Sequence, residues 1–207
     1  MRPGAGRPPR GEKAGVPHRP RPELTGREPV LVTMKVRAGI TSLRGRSAFD
    51  RVLRSLRRVR AELGAHVTHY SVQRDHVHLI VEAEDMRALS RGMQGLAVRI
   101  ARGVNRAMNR KGAVFADRFH DRVLRSPRQV RNALSYVLCN ARKHGLAPRQ
   151  RGWLDPHSSA WAFDGWASTT HAPSTSDSVS PPRTWLLRVG WRRGGLLEVD
   201  HRPGTLS

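Results

Sequence analysis

The 207-residue sequence contains a single cysteine, Cys139. One thiol cannot build a disulfide framework or a cysteine-based zinc site within the chain, and it suits a reducing compartment. Long apolar runs are missing as well, and no stretch approaches the length needed to span a bilayer. The basic N-terminus has no apolar segment of the kind a secretory signal carries. Acidic residues are scarce: 16 Asp and Glu stand against 38 Lys and Arg, giving a formal net charge of +22 and a pI of about 11.8. These absences leave a soluble, cytoplasmic protein whose surface attracts polyanions at long range and releases counterions on meeting phosphates. Such charge selects nucleic acid as a partner without selecting an activity. Arginine far outnumbers lysine, which suits bidentate contact with phosphates or guanine edges; a GC-rich genome would give the same bias.

Residues 1–28 are rich in Pro, Gly and Arg and carry no apolar period, so they read as a disordered basic arm. Residues 29–162 read as one domain and 163–207 as a flexible C-terminal tail. The stretch 167–183 is rich in Ser, Thr and Pro, and 185–207 holds one short apolar patch. Within the domain, 29–36 predicts a strand. Phe49, Val52, Leu53, Leu56, Val59 and Leu63 recur at helical spacing over 47–63, with Gly64 as a stop. Two strands, 66–72 and 76–83, follow around the polar turn Gln73-Arg74-Asp75. A long helix covers 86–108, and 113–124 alternates like a strand or hairpin arm. Ser126 and Pro127 suit an N-cap and first turn of a last helix reaching His144, where Gly145 ends it. This order predicts an α+β fold: a ferredoxin-like split βαβ antiparallel sheet with an additional C-terminal helix that carries Tyr136. Helices are expected on one face of the sheet, with the other open as a substrate groove.

Three groups of residues carry chemistry. On a strand, His76 and His78 point to one face while Val77, Leu79 and Val81 point to the other. Two imidazoles so placed can share a metal ion, although ten histidines make one chance pair of this spacing unsurprising. On the last helix, Tyr136 and Asn140 lie one turn apart, beside an apolar stripe of Val130, Ala133, Leu134, Val137, Leu138 and Ala141. Gln129 begins that row and His144 continues it. The tyrosine there has its hydroxyl free for chemistry, or else seals the edge of the core. Finally, Arg118, Phe119, His120 and Arg122, preceded by Phe115, mix aromatic and basic side chains as a single-strand binder does, or form a solvated strand edge. Arg99 and Arg102, with Arg91 and Arg106, line a phosphate track or simply a solvated helix face.

A strand with His-apolar-His, then a later helix with Tyr-x-x-x-Asn, resembles the HUH single-strand tyrosine transposases, and among them the REP-associated tyrosine transposases of bacteria. Ser71-Val72-Gln73-Arg74-Asp75 leading into the histidine pair, the run from Phe115 to His120 and the run from Tyr136 to Gly145 look like that group. So does a tail with Ser158, Ser159 and Trp161. Ala141-Arg142 departs from the Asn-Pro of many relatives, which puts the local helix geometry in question.

The resemblance implies a bacterial, nucleoid-associated enzyme that cleaves and rejoins single-stranded, hairpin-flanked DNA. It implies that His76, His78 and Asn140 bind Mg²⁺ or Mn²⁺, and that Tyr136 forms a 5′-phosphotyrosine link. The group that takes the tyrosine proton is left open between His144 and water at the metal. The resemblance also implies single-stranded or hairpin DNA as partner and a monomer or homodimer. Two rivals remain: a non-catalytic DNA-binding protein derived from a transposase, and a replication or conjugation initiator. The first predicts decay of the site, whereas both histidines, the tyrosine and the asparagine are present. The second usually brings a helicase or larger partner domain.

Overall fold

The computed structural model describes residues 23–62, 64–168, 173–174 and 176–204, with the backbone alone for 59–62. The chain runs β1 (Val30–Lys35), α1 (Arg46–Glu62), β2 (Ala65–Val72), β3 (His76–Ala83), α2 (Met86–Ala107), β4 (His120–Val123), α3 (Pro127–Leu138), α4 (Asn140–Lys143) and α5 (Trp185–Arg188). The strands form one sheet in the order β2-β3-β1-β4, and every neighbouring pair is antiparallel. β1 and β2 therefore run parallel with β3 between them, and β3 and β4 run parallel with β1 between them. Among the described residues no helix is long and apolar enough to cross a membrane.

The two faces of the sheet bury different things. Strand alternation sends Val30, Val32, Met34, Val77, Leu79 and Val81 to one side. There they pack with Val52 and Leu56 of α1 and Leu89, Met93, Leu96, Ile100 and Val104 of α2. Leu24 joins this core, so the described end of the expected arm is packed; residues 1–22 lie outside the described residues. The side chains of Val59 and Leu63, expected on the apolar stripe of α1, also lie outside them. Asp85 caps α2 by accepting from the Ala88 N–H, and Ser126 caps α3 by accepting from the Gln129 N–H.

Three expectations need correction. The second face of the sheet is not open. Leu31 and Ile80 form a second core with Val130, Ala133, Leu134 and Val137 of α3 and with Phe163, Trp166, Leu186, Leu187, Trp191, Leu197 and Val199. These last residues belong to the stretch expected as a flexible tail. Their apolar side chains are spread too thinly along the chain to show a period, and only burial against the α3 stripe gathers them. The last helix is not continuous to His144 either. It breaks at Cys139 (φ −101°, ψ 12°), beyond which the Arg142 N–H bonds to the Cys139 carbonyl in a tightened turn. Gly145 then ends α4 at φ 66°, a left-handed conformation that glycine adopts without strain. The arm expected over 113–124 shortens to β4, with one isolated bridge between Val36 and Phe115.

Candidate active site

The second face of the sheet changes character along its strands. Cross-strand partners in an antiparallel sheet share a face, so register alone builds the rows. Leu31 pairs with Ile80, Thr33 with His78, and Lys35 with His76. Within four residues the face passes from apolar core to imidazole and ammonium. The Thr33 row extends outward to Ser71 on β2 and His120 on β4. α3 lies over the apolar end, and α4 carries the chain on over the polar end.

His76 and His78 stand side by side, their ring centroids 4.5 Å apart. The Tyr136 ring meets His78 edge to face at 4.9 Å, and the His144 ring meets His76 at 5.3 Å. The three aromatic positions singled out in the sequence thus converge, and His144 completes the group. The Lys143 ammonium sits 4.7 Å from the centre of the Tyr136 ring. Tyr70, the other tyrosine of the chain, is buried in the first core, and burial pushes its pKa up to about 12. A phenol so enclosed cannot reach a substrate.

Hydrogen bonds fix how the histidines present themselves. His76 Nδ1 pairs with Asp75 Oδ1 at 2.7 Å, and His78 Nδ1 pairs with Thr33 Oγ1 at 2.9 Å. With Nδ1 of each ring engaged in this way, Nε2 is the nitrogen these bonds leave unpaired. His78 Nε2 is buried and has no partner among the described residues. Burial, reinforced by His76, His144 and Lys143, lowers the His78 pKa to about 3, so the ring is neutral at physiological pH. His144 is lowered as well, by burial first and then by His76 and Lys143.

Asn140 behaves differently from the expectation. In an unbroken helix it would lie directly over Tyr136 beside the stripe. The break at Cys139 leaves it 0% exposed, with neither its amide nitrogen nor its oxygen partnered among the described residues. A buried carboxamide unsatisfied at both ends is costly, and it is an unspent donor set in the segment between Tyr136 and His144. No group of three or more His, Cys, Asp or Glu is arranged to hold a metal ion among the described residues.

The six residues expected to bind DNA do not form one surface. His120 and Arg122 lie on the edge strand β4, on the face that carries Thr33 and His78. Arg118 is exposed just before it, while Phe119 packs against the first core. Arg99 and Arg102 belong to the other side of the molecule. They line a cavity of about 650 Å³ between α1 and α2 with Arg51, Arg54, Arg58 and Arg106. Sequence reasoning missed Thr33 and Lys35, because only strand register sets them beside the histidines. It also gave no role to Asp155, which takes a bidentate ion pair from Arg44 at 2.8 and 2.9 Å and so ties the 155–160 segment to the loop before α1.

Compared with known proteins, residues 30–136 match the family described as IS200-like transposases. The chain belongs to that family. Among solved structures it is similar to a REP-associated tyrosine transposase bound to a REP hairpin, at 18% identity and a TM-score of 0.53, over 70% of this chain and 82% of that one. A weaker likeness, at 14% identity and a TM-score of 0.41, is to a bacterial tRNA(His) guanylyltransferase-like protein in complex with ATP, over 62% of this chain and 66% of that one. No curated protein matches. The transposase likeness supports the α+β fold with its four-stranded antiparallel sheet.

Proposed function

We propose that this IS200-like transposase cleaves and rejoins single-stranded, hairpin-flanked DNA through a 5′-phosphotyrosine on Tyr136, with a divalent metal ion at His76, His78 and Asn140. The carrying observation is the convergence of Tyr136 and His144 on the two histidines; Asn140, between Tyr136 and His144 in the sequence, is a buried carboxamide with no partner among the described residues. The donor set fits a cation: two imidazole nitrogens and an amide oxygen suit Mn²⁺, and Mg²⁺ less strongly. When bound, such an ion supplies positive charge to a non-bridging oxygen of the scissile phosphate.

The rest is done by side chains of this chain. Asp75 and Thr33 engage Nδ1 of His76 and His78 and so hold the two rings in place. The Tyr136 oxygen attacks phosphorus, the bond from phosphorus to the 3′ oxygen breaks, and that oxygen leaves as a 3′-hydroxyl after taking a proton. The tyrosine proton passes to His144, whose pKa is lowered by partial desolvation and by His76 and Lys143, or to solvent. The phosphodiester energy is kept in the new bond, so a 3′-hydroxyl can reverse the step and join another strand. Tyrosine and histidines meet within one chain, which supports a site complete in a monomer. The ferredoxin-like sheet presents His120 and Arg122 on the same face as a path for the cleaved strand, and the α1–α2 arginines offer a separate surface for phosphates.

Incubation with Mn²⁺ and a hairpin-bearing single strand is expected to give a covalent adduct that survives a denaturing gel. Tyr136→Phe should abolish the adduct and leave hairpin binding within about twofold, since only one hydroxyl is lost. An adduct at the wild-type rate in the Phe variant would overturn the assignment. Binding without any adduct in the wild type would favour a non-catalytic DNA-binding protein.

A further inference from the structure

Beside Tyr136, α3 and the C-terminal stretch line a cavity of about 320 Å³ that His78 does not line. Arg131, Asn132 and Tyr136 form the helix wall, and Glu198, His201 and Pro203 form the wall opposite. The second wall is fastened deliberately. Arg131 donates to the carbonyls of Gly195 and Leu196, both at 3.1 Å. Arg142 donates to the Val199 carbonyl at 3.0 Å and pairs with Asp200, and Asp200 in turn accepts from the Gly152 N–H at 3.0 Å. Lys143 reaches the Gly204 carbonyl at 3.4 Å. The same lysine lies over the Tyr136 ring, so the strap and the tyrosine are held by one side chain.

We propose that this cavity is a subsite for a single unpaired nucleobase, that of a nucleotide adjoining the phosphate attacked by Tyr136. The proposal rests on the reading of Tyr136 as the nucleophile and adds what selects the position of attack. The size is at the lower end of small-molecule sites, roughly 300–1,000 Å³, which admits one base and excludes a duplex. The lining is wrong for phosphate: the cation in the wall, Arg131, is spent on backbone carbonyls, and the Glu198 carboxylate repels an anion. It is right for a base edge. Carboxamide, carboxylate and imidazole are the groups that pair with the exposed Watson–Crick edge of an unpaired base. Tyr136 and Pro203 bring ring carbon to the lining, apolar surface against which a base can pack.

The test uses the full chain with hairpin-bearing single-stranded oligonucleotides. In one arm, 4-thiothymidine is moved through the positions flanking the cleavage point, and cross-links to Tyr136→Phe protein are mapped by mass spectrometry. One position is expected to cross-link to residues 131–136 or 197–204. In the second arm that nucleotide is made abasic. Wild-type protein should lose about tenfold in Kd and in KM for adduct formation, with kcat changed less than twofold, the loss of one good base contact. The double variant Asn132→Ala, Glu198→Gln should show the same loss on the intact strand and no further loss on the abasic one. Equal abasic sensitivity in both proteins, or cross-links confined to other parts of the chain, would overturn the subsite even if adducts form normally. Wild-type protein that binds with the expected base dependence yet forms no adduct would instead remove the nucleophile reading and leave the pocket standing.

Discussion

Asn140 concentrates the tension between stability and function at the scale of one residue. Its carboxamide is fully buried with both polar atoms unpartnered, an arrangement that costs on the order of 1–3 kcal/mol per group. Asn140→Leu, of similar volume, is therefore expected to stabilise the metal-free protein by about 1 kcal/mol. It should also eliminate both the Mn²⁺-induced rise in melting temperature and the covalent adduct. A large fall in metal-free melting temperature would mean that the carboxamide is satisfied in solution. The buried histidines make a second prediction. His78 and His69 are lowered by burial to about 3 and about 4, and His66 and His144 shift in the same direction. Unfolded histidines bind protons near pH 6.5, whereas in the folded state all four bind them less readily, His69 and His78 only at about 4 and about 3. Stability is thus fully present above pH 6.5 and is lost as pH falls toward 4, by up to ~1.4 kcal/mol per pH unit for each fully buried histidine. Urea midpoints measured from pH 7.5 to 4.5 should fall through this window; a flat series would contradict the burial of His69 and His78.

Among the elements, local pattern was legible where it is repeated and opaque where partners come from elsewhere. His76 and His78 were readable as a pair because Val77, Leu79 and Val81 mark the opposite face. Tyr136 was readable as an edge residue because the α3 stripe runs beside it. Thr33 and Lys35 were not, since nothing in β1 announces which β3 residue each will face. The apolar stripe hid the turn at Cys139 by continuing through it to Ala141; only the departure at Ala141-Arg142 put the helix geometry there in question. Helix packing supplies a test of its own. A β-carbon on Gly103 of α2 would lie 2.8 Å from Cβ of Arg51 on α1. Ala gains about 1 kcal/mol of helix propensity over Gly, but overpacking typically costs 1–3 kcal/mol, and here the neighbouring atom is anchored close to the backbone. Gly103→Ala is expected to lower stability by about 1 kcal/mol in chemical denaturation; a more stable variant would show that α1 and α2 part freely.

Charge acts on the whole molecule. The formal charge of the chain is +22, and among the described residues arginines lie on both sides of the sheet: several line the α1–α2 surface, and Arg122 lies on the face of the candidate site. Binding to hairpin DNA should therefore fall steeply with salt, log Kobs declining linearly against log salt concentration with a slope of about −0.9 per duplex phosphate neutralised. Replacing Arg54, Arg58 and Arg102 together by Gln is expected to flatten that slope by about 2 to 3 while leaving single-strand cleavage at saturating DNA unchanged. An unaltered slope would take the α1–α2 surface out of DNA binding. The net charge was legible from composition, but its division between two sides was not, because the second face gains its cover from residues far along the chain.

That cover has a consequence in time. α3 emerges from the ribosome well before Leu186, Trp191, Leu197 and Val199, the side chains that complete its core. The first layer, with α1 and α2 on the sheet, has all but Val179 of its core early. The layer that seats the tyrosine stays unfinished until synthesis has passed Val199. A chain whose synthesis stops short keeps its arginine-rich side and lacks a finished catalytic side, so prematurely ended products would occupy DNA without cutting it.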